Sequence, residues 1–387
     1  MANTELPIIG FPNHLDSTFT DSGYSQPVIS GGSFETTRPR TNLKDDLFVN
    51  VARTTDATAA STFMHFDLGI TRDVKMFAIP SHNCSRTATY RLRGSDTVAW
   101  SGVTVNGVNA LNATTLNVST TDAISVSVGE GFTIAGDTQL YQATAAVSIG
   151  ASSTGSISIE RVDATGTGLA SATTGSEVIT CHAGDFTTTV VDTGSLDVWE
   201  VIYEQYTLYY GHPSLADGKI EPHNLPNRRS PIVYINSTDG VVDIARYWRL
   251  DIADTSNADG YIELSRAFFC PGYEATKAIK YNMSIGRFSN STLSKSKGGA
   301  NIPNDQRGGK KFVIGIDNIP ESEGMGIIYD MVEDADVTKQ IFFVMNKKDT
   351  VHKHRRMFTA RLKKLDPLTI PFFEKMDAVF EVEEVVA

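Results

Sequence analysis

The stretch Ala245-Arg-Tyr-Trp-Arg-Leu-Asp-Ile252, followed at once by "ADTSNADGYIELSRAFF", decides how this chain is read. Two arginines flank a tyrosine and a tryptophan, residue types that concentrate in binding hot spots. The same letters also alternate, and a period of two is the mark of a strand. Ala245, Tyr247, Arg249 and Asp251 share one face; Arg246, Trp248, Leu250 and Ile252 share the other. Trp248, Leu250 and Ile252 are therefore expected to point into a core together. Any recognition role shrinks to the Tyr247–Arg249 face, a candidate contact with a neighbouring subunit. The run "GYIELSRAFF" reads as a second strand, antiparallel to the first across the turn-rich "ADTSNAD".

Upstream, short alternating or apolar runs are broken by Gly, Pro, Asn and Asp: "TFMHFDLG" at 62–69, "DVKMFAIPSHN" at 73–83 and "ATYRLRGSD" at 88–96. In the last, Tyr90 and Leu92 fall on one face and Arg91 and Arg93 on the other, as in a half-buried strand. Several such strands at short spacing predict a β-sandwich or jelly roll.

Composition changes at 101–190, which holds no Lys, one Arg (Arg161) and seven acids among Thr, Ser, Ala, Gly and Val. Low complexity suggests a linker, but the apolar residues sit in strand-like runs such as "TTLNVS", "AISVSV", "GFTIAG" and "SEVITC", bounded by turn residues. This predicts a small β-barrel or sandwich inserted into the first domain. Larger residues return at 191, with dense aromatics and the polar, proline-rich "PSLADGKIEPHNLPNRRSP". Residues 281–310 lack apolar periodicity and read as a connecting arm. In 311–387, "KFVIGIDNI", "KQIFFVMNK", "RRMFTARLKKL" and "DAVFEVEEVV" read as strands. "PESEGMGIIYDMVEDAD" opens with a helix-start signature, and Met325, Ile328, Met331 and Val332 recur at helical spacing. The expected architecture is mainly β: a discontinuous sandwich (1–100 and 191–280), the insert (101–190), the arm (281–310) and a small C-terminal α+β unit (311–387).

The 387 residues carry 41% hydrophobic and 20% charged residues, ordinary for a globular protein with a sizeable core. A net charge of −11 argues against a dedicated nucleic-acid binder. No run approaches the roughly eighteen apolar residues of a membrane span. The N-terminus is acidic and polar where a signal peptide is basic and apolar, so assembly in a cytoplasm is expected. Cys84, Cys181 and Cys270 are widely spaced and read as free, buried thiols.

With the strands in place, "VARTTDATAASTFMHFDLGITRDVKMFAIPSHN", "YRLRGSD" and "ARYWRLDIADTSNADGYIELSRAFF" together resemble the discoidin (coagulation factor type C) jelly roll. The matching features are an Asp67-Leu68-Gly69 turn after the first long strand, Tyr90 to Ser95-Asp96, the Ala245–Leu250 strand, and a closing strand from Glu263 to Phe269. The whole chain is similar to a type of tailed-phage virion protein. There a discoidin-like sandwich is followed by text like "PGYEATKAIKYNMSIGR", an arm, and a unit like "FVIGIDNIPESEG", "RLKKLDPL" and "FEKMDAVFEVEEV". The insert's "VSVGEGFTIAGDTQLYQATA" resembles small β modules spliced into phage structural proteins. The resemblance implies a distal-tail, tail-tip or baseplate component of the virion, a hexameric or trimeric ring with other tail proteins as partners.

Candidate sites follow. His65, His82, His182, His212, His223, His352 and His354 are scattered, and no zinc-protease, nucleophile-elbow or P-loop pattern occurs. Asp192-Thr-Gly194 copies the aspartic-protease triplet once, with no second lobe, so catalysis is not expected. Discoidin domains often bind glycans through loops at one end. Aromatic platforms with hydrogen-bonding side chains suit a sugar's apolar face and hydroxyls. The candidates are His82, Asn83 and Arg86 with Tyr209, Tyr210 and His212, which leaves a host-surface glycan adhesin as the alternative function. The basic run 345–364 reads as phosphate contacts or as solvated or intersubunit charge, with Arg355, Arg356 and Arg361 joining Tyr247 and Arg249 as interface candidates. The acids of 251–260 resemble a calcium loop, but the glutamate register fails. No metal and no cofactor is expected.

Overall fold

The computed structural model describes residues 6–16, 26–163, 168–203, 208–212, 214–219, 231–280, 283–297, 300–306, 308–349 and 352–386. The chain is mainly β, a sandwich with an inserted barrel and a C-terminal sheet carrying one helix. The first sandwich sheet runs in the order Val191–Asp192, Thr89–Ser95, Asp243–Ala253, Phe63–Val74, Val28–Ser30. The facing sheet is Ile232–Ile235, Met76–Ile79 and Phe268–Cys270. Between them lies an aromatic centre in which the Phe269 ring meets Phe77 at 4.7 Å, Phe66 at 5.0 Å and Trp248 at 5.6 Å.

Trp248, Leu250 and Ile252 point into this core, as their alternation predicts. Ala245 joins them, against the simple parity reading. The register of Asp243–Ala253 against Phe63–Val74 slips between Ala245 (opposite Arg72) and Tyr247 (opposite Asp67). Asp67-Leu68-Gly69 is thus not a turn after a strand. It is a bulge inside a twelve-residue strand, with Gly69 at φ +84° in the left-handed region that favours glycine. Arg246, opposite the slip, donates to both Asp67 oxygens at 2.7 and 2.9 Å.

A second correction concerns "GYIELSRAFF". It does not pair with the Trp248 strand. Glu263–Leu264 pairs with Ala52–Arg53, and Phe268–Cys270 crosses to the opposite sheet beside Met76–Ile79. Buried Arg266 lies between the two pieces, held by Asp16 and Asp46 and by Gln340 at 2.9 Å.

The small facing sheet is buried on both sides. Phe77, Ile79 and Phe269 face the sandwich core. Met76, Ala78, Phe268 and Cys270 face a second core with Ile8, Phe342, Val344 and Met357. That second layer is the C-terminal sheet, ordered Tyr273–Glu274, Ile8–Gly10, Ile341–Val344, Met357–Lys364, Lys375–Glu384, Gly309–Pro320, Ser284–Phe288. The N-terminal strand and Tyr273–Glu274 therefore belong to the C-terminal sheet and not to the sandwich. The approach at Gly10 is close: a Cβ would sit 2.1 Å from the Met76 methyl, so any larger residue makes that buried side chain move.

The helix over residues 321–335 packs Ile328, Met331 and Ala335 on this sheet. Its middle, Gly324–Tyr329, is π-helical, and the wider turn swings Met325 out to solvent despite its helical spacing. The expected arm is a β-ladder. Ser284–Phe288 pairs with Gly309–Pro320, and beyond it Thr292–Lys295 pairs with Asn301–Asn304, every residue of these last two strands being exposed.

The insert is a closed six-stranded barrel, Gly131–Ile134, Leu140–Ala143, Thr154–Arg161, Thr115–Thr120, Val103–Val105 and Val178–Cys181. Val191–Asp192 then re-enters the sandwich.

Truncating the centre of the sandwich is the sharpest check on this arrangement. Phe269→Ala is expected to cost ~3–5 kcal/mol of stability, read as a fall in the denaturant midpoint. Val241→Ala, at an exposed position, should stay within about 0.5 kcal/mol of the parent.

Candidate functional site

At one end of the sandwich, the strand-connecting loops 80–88, 199–219 and 254–261 meet. Arg86 donates to Asp217 at 2.6 Å, Lys219 donates to the Arg86 carbonyl at 3.0 Å, and Trp199 Nε1 donates to the Cys84 carbonyl at 2.9 Å. The two sequence-predicted glycan segments are thus neighbours. Their members differ in freedom, however. Asn83 donates to Asp259 at 2.9 Å and to the Tyr261 carbonyl at 3.0 Å, and accepts from the Glu263 amide at 2.7 Å. His82 accepts from the Cys84 amide and stands edge-on to Trp199. These side chains are spent on holding loops together. Tyr209 and Tyr210, by contrast, are 70% and 97% exposed, with His212 edge-on to Tyr209 at 5.2 Å. His223 and the rest of 220–230 lie outside the described residues.

Two acidic motifs are likewise accounted for. Asp192 is chelated by Arg91 at 2.8 and 2.5 Å and accepts from the Gly194 amide, and the Arg91 bonds foremost hold its carboxyl down to about 2. In 251–260, Asp254 caps the Ser85 amide at 2.8 Å and Asn257 at 3.1 Å, so it serves the loop turns. Among the described residues no group of three or more His, Cys, Asp or Glu is placed to hold a metal ion. Cys84, Cys181 and Cys270 are free and buried, one each in the sandwich core, the barrel core and the core between the sheets.

Much of the basic run is paired within the chain. Lys347 is held by Asp239 and Glu274, Lys353 by Glu200 at 2.8 Å, Arg356 by Asp349 at 2.9 Å, and Lys363 by Glu383 at 2.5 Å. Arg355 and Arg361 are exposed. The remaining interface candidates sit elsewhere. Tyr247 is buried against Gly184, and Arg249 binds Asp251 while lying over the Phe63 ring at 4.6 Å. The face expected to meet a neighbour is covered by the chain's own insert.

That junction holds the polar network the sequence did not reveal. Barrel residue His182 shares its Nδ1 with Asp67 at 2.8 Å and its Nε2 with Thr133 at 3.1 Å, in the order hydroxyl, imidazole, carboxylate. Asp67 is also bound to Arg246. Burial pushes its carboxyl up most strongly, but the Arg246 and His182 bonds together hold it below the usual range. With its carboxylate neutralised by a guanidinium, the trio works as a clasp between barrel and sandwich. Arg40 reinforces it, reaching Asp163 at 3.0 Å and Gln142 at 2.7 Å from the sandwich side. The signal in the sequence was the pair Asp67 and Arg246, an acid and a base on the two long strands, which the register slip brings together.

No family model matches this chain, and no curated protein does. Among solved structures, a binding domain of botulinum neurotoxin DC in complex with SialylT aligns at 8% identity over 99% of this chain and 95% of that one, with a TM-score of 0.17. A binding domain of botulinum neurotoxin DC in complex with rat synaptotagmin II aligns at 7% identity over 100% and 96%, with a TM-score of 0.16. Overlaps this loose carry no argument about the site.

The junction predicts a pH response. His65 is fully buried between Phe63 and Phe186, and neither ring nitrogen has a hydrogen-bond partner. Burial, then Arg249, pushes it down to about 3, with Asp251 opposing and Arg93 adding; burial likewise takes His14 to about 4. The unfolded chain binds protons at these sites from about pH 6.5 downward and the folded chain does not. Stability therefore falls as pH drops from 6.5, by about 1.4 kcal/mol per unit per histidine, until the folded values are reached. His65→Leu should shallow the slope of denaturant midpoint against pH between 6 and 4; an unchanged slope refutes the assignment.

Proposed function

We propose that this chain is a structural, non-enzymatic subunit of a tailed-bacteriophage virion, in the distal tail, tail tip or baseplate. It assembles there with copies of itself and with other tail proteins. The observation that carries the reading is the ladder over 284–313, which continues past the C-terminal sheet as a hairpin exposed on both faces. An isolated two-stranded hairpin is marginal in water, and strand or hairpin docking onto a neighbour is a common way to lock subunits together. The sequence resemblance to discoidin-bearing phage tail proteins points the same way. The sandwich fused to a C-terminal sheet through a shared core gives a rigid body suited to a fixed position in a ring.

The inserted barrel is clasped to the outer face of the sandwich through His182 and Asp67, and so thickens the subunit.

One observation favours the second reading, a glycan-binding adhesin: the exposed Tyr209 and Tyr210 beside His212 at the loop end. Locating the chain in purified particles by cryo-electron microscopy decides between the two. Density for it within the tail, with the 292–304 hairpin covered by a neighbour, is the expected result. Absence from the particle sinks the virion reading. A glycan array giving binding that Tyr210→Ala abolishes establishes the adhesin; the structural reading expects no such binding.

A further inference from the structure

We propose that the Thr292–Asn304 hairpin of one copy seats in a groove on the C-terminal unit of a second copy, so that assembly is head-to-tail. This inference rests on the self-assembly reading above. The groove, about 370 Å³, lies between the 321–335 helix and the sheet, with Ile328, Tyr329, Val332, Leu365, Leu368 and Phe380 in its walls. Tyr329 and Leu365 are about half exposed; Glu333 stands in the lining, and so does Asp366, which is paired with Lys364 at 2.9 Å.

The hairpin has the complementary chemistry. Cross-strand partners share a face, so Leu293 with Pro303 and Lys295 with Asn301 make one surface. It is an apolar pair, with Leu293 75% exposed, flanked by a cation. An apolar groove with an exposed glutamate in its lining fits an apolar pair beside a lysine. Exposed Glu333 is the natural partner of Lys295.

The occupant comes from another copy because of the direction of one strand. The hairpin leaves the sheet at Gly309, where Phe288 pairs, and extends away from it. The groove's Ala378–Phe380 wall pairs with residues 314–316, in the opposite direction along the same strand. The separation is roughly 20 Å at ~3.3 Å per residue. Donor and acceptor therefore lie apart on one body, facing different ways. Such a contact is heterologous and propagates to a ring or filament.

Sedimentation velocity on the full chain tests this. The wild type is expected to oligomerise. Leu293→Asp and Tyr329→Asp, both at exposed positions, should weaken association by at least ~10-fold while leaving the melting temperature unchanged. Mixing the two variants should give a one-to-one dimer that grows no further, since only one intact arm and one intact groove remain. Lys295→Glu should weaken assembly and Glu333→Lys on the same chain should restore it. If the wild type oligomerises and Leu293→Asp assembles equally well, this contact is overturned and the self-assembly reading stands. A wild type that stays monomeric overturns the contact, and its presence or absence in purified particles then judges the virion reading separately.

Discussion

Met76-Phe-Ala-Ile79 and Phe268-Phe-Cys270 are buried on both faces, and most of the architecture depends on that. In a strand, successive side chains point to opposite sides, so these seven residues serve two cores at once. Phe77, Ile79 and Phe269 belong to the sandwich, whereas Met76, Ala78, Phe268 and Cys270 belong to the joint with the C-terminal sheet. A slip of one residue would exchange the two sets. It would drive Phe77 and Phe269 toward the tight approach where Gly10 meets Met76, and leave the Trp248 side short of rings. Register in this sheet therefore fixes how the two units sit on one another. Charge then reinforces the joint. Glu274 accepts both Lys75 of the sandwich and Lys347 of the C-terminal unit. Those two cations are buried; Lys347 also has Asp239, but Glu274 is the carboxylate that answers Lys75, whose ammonium otherwise meets the Thr238 and Val241 carbonyls, and leaving a buried charge without its counter-ion is costly.

The first long strand repeats the device on the other side. Met64, Phe66 and Leu68 face the sandwich core, while Phe63, His65 and Asp67 face the barrel. The slip at the Gly69 bulge leaves Arg246 beside Asp67, which it binds through both oxygens, and one of these, Oδ2, also meets His182 Nδ1 from the insert. Barrel, sandwich and C-terminal sheet are stacked by strands that each carry two faces of contact. Two buried histidines lie near these seams, neutral because burial leaves no room for their charge.

How much of this was legible follows from the same geometry. Strands with one buried face announced themselves: Tyr90 and Leu92 are buried and Arg91 is not, and Trp248, Leu250 and Ile252 point inward. The inserted barrel was legible from its run of small β-branched residues between turns. What failed were features depending on distant partners. Ala245 changes face because a bulge forms on another strand. "GYIELSRAFF" is divided between two sheets because Arg266 is needed at the joint. Ile8–Gly10 joins a sheet whose other strands lie more than 260 residues away in sequence. The Tyr247–Arg249 face looked free because alternation identifies an outer face without saying what covers it. In the candidate loops, composition could not separate Asn83, consumed by three hydrogen bonds, from Tyr210, which is exposed.

The two edges of the C-terminal sheet have opposite fates, and the difference gives the subunit a direction. One edge is the two-residue strand Tyr273–Glu274, laid beside Ile8–Gly10 and too short to template much pairing. The other ends in Ser284–Phe288, largely exposed, and runs on into the hairpin. Unpaired edges invite strand addition, and proteins that must stay single blunt them. Here the edge is extended, and its base is made firm. Ser291 Oγ donates to Asp305 at 3.0 Å and accepts from the Gln306 amide at 2.9 Å, closing the ladder at the root of the hairpin. A stiff base beneath an exposed tip lowers the ordering cost that a flexible arm would incur on docking. With the opposite edge cut short at two residues, the long edge is the one on which pairing can extend, and the fold itself supplies the polarity that head-to-tail assembly needs.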